Sequence, residues 1–212
     1  MAPTIIAISG FSSDSGKTTV LCELLRAFPG WEAIKITRGH YRSCGKDPHA
    51  CCVSHMLSTA PVIRSGREET YAKGKDTGRY WDAGASNVHW LIVTSEQVEQ
   101  GIKLALARVR APGVFVEGTS FLKYLDVDFS LMVARSHTSK IKPSARRVLD
   151  KAKALYLSDE NGKDAACVSE ELFAGQQSSG ESEALKHLPV YTSQDLPKIV
   201  ALIRALQSVV AA

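Results

Sequence analysis

The chain reads as an α/β protein: a doubly wound, mostly parallel sheet with helices on both faces. Three observations lead there. Short apolar, β-branched runs alternate with segments of helical periodicity. Pro-Gly pairs and single glycines fall between them. A glycine-rich loop joins the first apolar run to the first helical one. No internal repeat or linker-like stretch interrupts the pattern. One domain over residues 1–212 is therefore expected, with a Gly/Cys/His-rich insertion at about 38–86.

The elements follow in order. Thr4 to Ser9 (TIIAIS) is a short apolar run of the kind buried on both faces in parallel sheets. Val20, Leu21, Leu24, Leu25 and Phe28 have helical spacing, and Pro29-Gly30 stops that helix. Trp31 to Thr37 (WEAIKIT) is a second strand. From Arg38 to Ala85 the periodicity fades, apart from a short strand over Ala60 to Arg64. So long an irregular stretch inside a compact domain is usually functional. Its Tyr41, Tyr71, Tyr80 and Trp81 argue against disorder. Val88 to Thr94 is a strand, and Ser95 to Arg110 a helix with Ser95 as its N-cap. Val114 to Val116 and Phe129 to Ala134 are buried strands. Pro143 to Ala152 reads as a helix and Ala154 to Leu157 as a strand. Residues 163–183 read as a helix and an exposed loop, Pro189 to Thr192 as a last strand, and Asp195 to Val210 as the closing helix.

Composition narrows the function classes. At 212 residues, 44% hydrophobic and 23% charged, the chain has enough apolar material for a sizeable core. Its formal net charge of +4 suits a small anionic ligand. The basic clusters Arg108 to Arg110 and Arg146-Arg147 read as solvated helix faces, so nucleic acid is not expected. No apolar run approaches the roughly 20 residues of a membrane span. The start carries no basic region followed by an apolar core, so the cytoplasm is the expected compartment. An odd five cysteines point to thiols or a metal site rather than a disulfide framework.

The loop carries the chemistry. Its sequence is Gly10-Phe11-Ser12-Ser13-Asp14-Ser15-Gly16-Lys17-Thr18-Thr19, following a strand and opening a helix. Glycines let the backbone turn and approach phosphates closely. Successive N–H groups make an anion nest, and the helix start adds partial positive charge. Lys17 reaches for the β- and γ-phosphates of a nucleoside triphosphate, and the Thr18 hydroxyl for Mg²⁺. Gly10, Ser13, Asp14, Ser15, Gly16, Lys17, Thr18 and Thr19 are thus the candidate nucleotide contacts. Five residues separate Gly10 from Gly16, one more than in the common pattern.

That extra residue makes the loop similar to those of dethiobiotin synthetase and the cobyric acid synthases. Three segments together resemble the molybdopterin-guanine dinucleotide biosynthesis protein B family. They are the opening IIAISGFSSDSGKTT, the stretch from Gly74 through Asp76, Arg79 and Tyr80 to Ala85, and the strand end Phe115-Val-Glu117-Gly118. Order and rough spacing agree from residue 4 to about 135. The resemblance implies a P-loop NTPase fold, a homodimer and a role beside a cofactor-biosynthesis enzyme. By that resemblance Glu117, with Thr18, belongs to the Mg²⁺ shell or orients a water. Asp76 and Arg79 lie near the nucleotide, which gives Lys17, Glu117, Arg79 and Asp76 as the catalytic set. The residues alone leave other roles open. Glu117 caps a turn in one of them, and Arg79 pairs with Asp76 or Asp82 in another. An Asn-Lys-x-Asp guanine-reading motif is absent, so GTP and ATP both remain, with Leu157 to Asp159 where a base contact is expected.

The segment from Arg38 to His55 departs from that family. Cys44, Cys51, Cys52 and His49, with His40 and His55 nearby, form a dense set of soft ligands. Zinc or an iron–sulfur cluster is one reading, unliganded loop thiols another, and a reactive thiol a third. Cys22 reads as core. The sequence thus supports a Mg²⁺-dependent GTP- or ATP-hydrolysing accessory protein of molybdopterin-type cofactor biosynthesis. An ATP-dependent ligase or amide synthetase and a metal-binding nucleotide switch are the alternatives.

Overall fold

The computed structural model describes residues 2–39, 53–136, 141–159, 185 and 187–210. The Cys44, Cys51, Cys52 and His49 cluster, and the helix expected within 163–183, lie outside the described residues.

Strand β1 (Thr4–Gly10) leads through the glycine loop into helix α1 (Lys17–Ala27), and β2 (Glu32–Arg38) follows. A short 3-10 turn (Ser54–Met56) precedes β3 (Val62–Ser65), α2 (Arg67–Thr70) and α3 (Asp76–Asp82). Then come β4 (Val88–Val93), α4 (Val98–Leu106), β5 (Gly113–Glu117), a 3-10 turn (Ser120–Lys123) and β6 (Phe129–Ala134). α5 (Pro143–Arg146), a 3-10 turn (Leu149–Lys151), β7 (Ala154–Leu157), β8 (Val190–Tyr191) and α6 (Leu196–Val210) complete the described chain.

The eight strands form one sheet in the order β3-β4-β2-β5-β1-β6-β7-β8. All neighbours are parallel except β3 on β4 at the edge. The central strands are buried on both faces, so they read as continuous apolar runs rather than alternating ones. Period two still sorts their side chains. In β1, Ile6 and Ile8 enter one core layer and Ala7 the other. The first layer holds α1, α3 and α6 through Leu21, Leu24, Tyr80, Ile199 and Ile203. The second holds α4 and the turn after β5 through Ile102, Ala105, Phe121 and Leu122. Helices on both faces of this sheet confirm the doubly wound α/β class.

Aromatic packing locks the first layer. Trp31 lies 4.7 Å from Phe28 and 4.8 Å from Phe115, centroid to centroid. Gly113 is small because the indole covers it: a Cβ there would lie 2.3 Å from the Trp31 ring. At the same end of the sheet, buried Glu32 accepts the N–H groups of Arg110 (2.8 Å) and Ala111 (2.9 Å), and its other oxygen meets His89 Nε2 at 2.7 Å. Burial raises the Glu32 carboxyl, but His89 and the two N–H donors outweigh it and leave it below the usual range. This network pins the α4–β5 connection far from the strand ends that carry the loop.

Three expectations need correction. Ser95 does not cap α4. The helix starts at Val98, and Gln97 instead accepts the Thr94 N–H at 3.0 Å. The helix also stops at Leu106 rather than Arg110. The expected helix over Pro143 to Ala152 is α5 followed by a 3-10 turn, broken where Val148 adopts φ −134°. Ala145, Val148, Leu149 and Ala152 are all buried, and 3-10 turns share the i, i+3 spacing that imitates one helix. The insertion holds more structure than its periodicity showed. Gly78 sits inside α3 because the Ala72 carbonyl passes over it, 2.1 Å from where a Cβ would lie.

Candidate functional site

The chain leaves the adjacent strands β1 and β5 toward opposite faces of the sheet. Such a point opens a crevice at the strands' carboxyl ends. The glycine loop fills one side of it and Glu117 the other.

The loop is fixed by its own backbone and by neighbouring strands. Phe11, wholly buried, donates its N–H to the Val133 carbonyl (3.0 Å) and accepts from the Lys142 N–H (3.0 Å). Gly10 donates to Thr119 Oγ1 at 3.3 Å. Gly16 takes φ +89°, the left-handed region that costs a glycine little. Ser158 packs against it, 2.6 Å from where a Cβ would stand, and its hydroxyl donates to the Ser15 carbonyl at 2.8 Å. Neither space nor backbone geometry admits a side chain at position 16.

Lys17 curls back into the loop. Its ammonium donates to the carbonyls of Ser12 (2.8 Å) and Ser13 (3.0 Å) and to Ser15 Oγ (3.2 Å). Burial lowers its pKa. Thr18 Oγ1 donates to Glu117 Oε2 at 2.8 Å. Glu117 is 2% exposed and also accepts from the Tyr80 hydroxyl and the Lys35 ammonium. Lys35 reaches Asp76 as well, at 2.5 Å. Burial works against the Lys35 charge, but the two carboxylates outweigh it and raise its pKa. Asp76 is the mirror case: burial raises it, and Lys35 above all pulls it below the usual carboxylate range. Arg79, one turn further along α3, donates to Thr19 Oγ1 at 3.1 Å.

These groups line a cleft of about 530 Å³, within the size range of small-molecule sites. Its basic side chains are Lys17, Lys35, Arg38, Arg79, Arg135 and Lys142, against Asp14, Asp76 and Glu117. That excess favours a polyanion. Burial, then the nearby Lys17 and Arg38, lower Lys142 to about 8.

The cleft therefore gathers every loop residue singled out in the sequence except Gly10 and Ser15, which shape it from beneath. It also brings Asp76, Arg79 and Glu117 beside Lys17 and Thr18. Arg79 turns to the loop rather than to Asp76 or Asp82. Sequence reading gave no role to Lys35, Tyr80, Thr119 and Lys142, and placed Ser158 where a base contact was expected, whereas its hydroxyl holds the Ser15 carbonyl of the loop. Lys35 had left a trace, as a charge inside the apolar run of β2. Asp159 holds the Ser136 N–H and hydroxyl at 2.9 and 3.1 Å, while Ser158 touches the loop. Cys22 is buried, and burial raises its thiol to about 11, which leaves it unreactive. Among the described residues no group of three or more His, Cys, Asp or Glu gathers as a metal site.

A glycine loop with lysine between β1 and a buried helix, faced by a carboxylate ending the neighbouring parallel strand, defines the P-loop NTPase fold. No protein-family model matches the chain, and no curated protein does. Among solved structures it is similar to HypB from Helicobacter pylori in complex with nickel, with a TM-score of 0.52 and 13% identity, covering 98% of this chain and 88% of that one. It is also similar to LpxK from Aquifex aeolicus in complex with ATP, with a TM-score of 0.46 and 18% identity, covering 74% of this chain and 48% of that one. At 13% identity the likeness to HypB is one of fold alone.

Proposed function

We propose that this chain binds a purine nucleoside triphosphate, GTP or ATP, with Mg²⁺ and hydrolyses it. The observation that carries this reading is the placement of Lys17 in a glycine loop, beside the Thr18–Glu117 pair, in a cleft rich in positive charge.

Each residue then has a task. The loop N–H groups cradle the phosphates, and Lys17 exchanges the Ser12 and Ser13 carbonyls for phosphate oxygens, which are stronger acceptors. Thr18 Oγ1, Glu117 and Asp76 are hard oxygen donors of the kind Mg²⁺ prefers, so they fit the ion and would hold it directly or through water. The ion would neutralise charge on the transferred phosphoryl group. Water attacks the γ-phosphorus, the bond to the β–γ bridging oxygen breaks, and the water's protons stay with the phosphate product and solvent. Glu117 already accepts three donors. Its part is therefore to orient the Mg²⁺ shell or a water, with Thr18, Lys35 and Tyr80 holding the carboxylate in place. Arg79 and Lys35 offset charge that develops on the leaving oxygens.

The resemblance to the molybdopterin-guanine dinucleotide protein B family supports a homodimer and an accessory role in cofactor biosynthesis. Sedimentation with and without Mg²⁺-nucleotide tests the first part: a dimer is expected, and a monomer under both conditions contradicts it. Binding and turnover of GTP and ATP test the nucleotide reading. In Lys17→Ala, affinity is expected to fall about 30-fold or more, since loss of a buried charge partner costs roughly 2–5 kcal/mol.

A second reading, a metal-binding nucleotide switch, is favoured by Cys44, Cys51, Cys52 and His49. Metal analysis of untagged protein tests it. Bound zinc or iron supports it, and metal-free protein with free thiols contradicts it.

A further inference from the structure

A second recess, of about 120 Å³, adjoins the phosphate cleft. The two share Arg38, Ser120 and Ser144. The recess adds Lys123, Arg147, Ser95 and Tyr124, with Val98 and Val148 as its apolar wall. Three cations and four hydroxyl-bearing side chains thus line a space smaller than a nucleotide needs; Lys123 Nζ lies 5.2 Å from the Tyr124 ring centre, and no carboxylate stands in the wall among the described residues.

Its place follows from the topology. Arg38 ends β2, Ser95 follows β4, Ser120 and Lys123 stand in the turn after β5, and Ser144 and Arg147 come from α5 and the residue after it. Four of them thus sit at the carboxyl ends of β2, β4 and β5, and α5, which follows β6, brings Ser144 and Arg147 to the same recess. Ser158 and Asp159 flank the loop from the opposite side of β1, beyond β6. Among the described residues, no ion pair joins Arg38, Lys123 or Arg147 to a carboxylate. Like charges crowded around a small space repel one another, and a bound anion relieves that repulsion. Arginine and hydroxyl donors match the planar oxygens of a carboxylate and the tetrahedral oxygens of a phosphate.

We propose that this recess is a second anion subsite, which holds the carboxylate or phosphate of a small second ligand while the nucleotide fills the main cleft. It rests on the nucleotide reading above and deepens it. The two cavities meet at Arg38, Ser120 and Ser144, so a ligand anchored in the recess abuts the nucleotide's phosphates. Arg147, half of a pair that read in the sequence as a solvated helix face, becomes a ligand-binding residue.

The test uses the full chain, saturated with Mg²⁺ and the β,γ-imido analogue of whichever nucleotide binds. Inorganic phosphate and succinate are titrated separately, and binding is followed by amide chemical shifts. Saturable binding of at least one is expected. It should weaken by about tenfold or more in the Lys123→Ala/Arg147→Ala variant, as loss of hydrogen bonds to charged groups implies. Nucleotide affinity should change less than about twofold there, because both side chains are exposed and neither lines the main cleft. Phosphate alone binding assigns a phosphate ester, and succinate alone a carboxylate. Failure of both to bind, or equal binding to the variant, overturns the proposal. Lys17→Ala without nucleotide separates the two readings. If nucleotide does not bind the wild type, phosphate captured by Lys17→Ala and lost on adding Lys123→Ala/Arg147→Ala still supports the recess. Absence of that capture overturns it.

Discussion

Lys142 carries a charge that the cleft holds near its tipping point. Burial, then Lys17 and Arg38, bring it down to about 8, with Lys35 adding to the repulsion and Glu117 opposing it. In the unfolded chain a lysine titrates near 10.5. Between these values the unfolded state binds more protons, so stability without ligand rises with pH across that window. A bound polyanion favours the charged form. Nucleotide affinity should therefore be highest below pH 8 and fall above it, with proton uptake on binding. Calorimetry at pH 8.5 in two buffers of different ionisation enthalpy measures that uptake. Lys142→Met should abolish it, and equal heats in both buffers for the wild type would count against this role. Tyr80 offers a second test. Its hydroxyl donates to buried Glu117, and burial, with Glu117 beside it, raises its pKa well above the usual value. Tyr80→Phe removes a donor from a buried carboxylate, a loss of about 1–3 kcal/mol. The melting temperature should drop by several degrees, at about 2–4 °C per kcal/mol for a chain this long. An unchanged melting curve would show that the bond contributes nothing. Residues at this scale were legible where a local motif announced them, as with Lys17, Thr18 and Glu117. Tyr80 and Lys142 reach the site only through long-range packing, which no spacing rule reports, and Lys35 showed only as a charge inside an apolar run.

At the scale of elements, α4 packs closely on β4 because Gly101 leaves no side chain between them. A Cβ there would lie 2.8 Å from Val93 Cγ1 and 2.9 Å from Leu91 Cδ1. Alanine improves helix propensity by about 1 kcal/mol. Overpacking a filled core costs about 1–3 kcal/mol. Val93 and Leu91 are fully buried and have nowhere to move, so the second effect should win. Gly101→Ala is expected to lower the urea midpoint without changing the slope; a raised midpoint would mean the helix shifts freely. Long elements with strong periodicity, such as β1, α1, β6 and α6, were legible in the sequence. α3 was not, because Gly78 breaks the helical signal for the sake of the Ala72 carbonyl. The Pro143 to Ala152 stretch misled for the reverse reason: two tight turns bury residues at helical spacing.

At the scale of the molecule, the sheet places functional groups toward one end of its strands and structural ones toward the other. The carboxyl ends of β1 and β5 lead to Lys17 and present Glu117, with Lys35 in the middle of β2 beside Glu117, while Glu32 and His89 seal the amino ends of β2 and β4. The βα alternation made the parallel sheet legible. The antiparallel β3 at its border was not, since a four-residue strand in an irregular stretch looks the same in either direction. No helix among the described residues is long and apolar enough to cross a membrane. Titration calorimetry with GTP and with ATP, each with and without Mg²⁺, on the wild type and Lys17→Ala, tests the central claim most directly. One purine triphosphate bound per chain, tightened by Mg²⁺ and weakened about 30-fold or more in Lys17→Ala, is the expected result. No binding of either nucleotide, or undiminished affinity in Lys17→Ala, would contradict it.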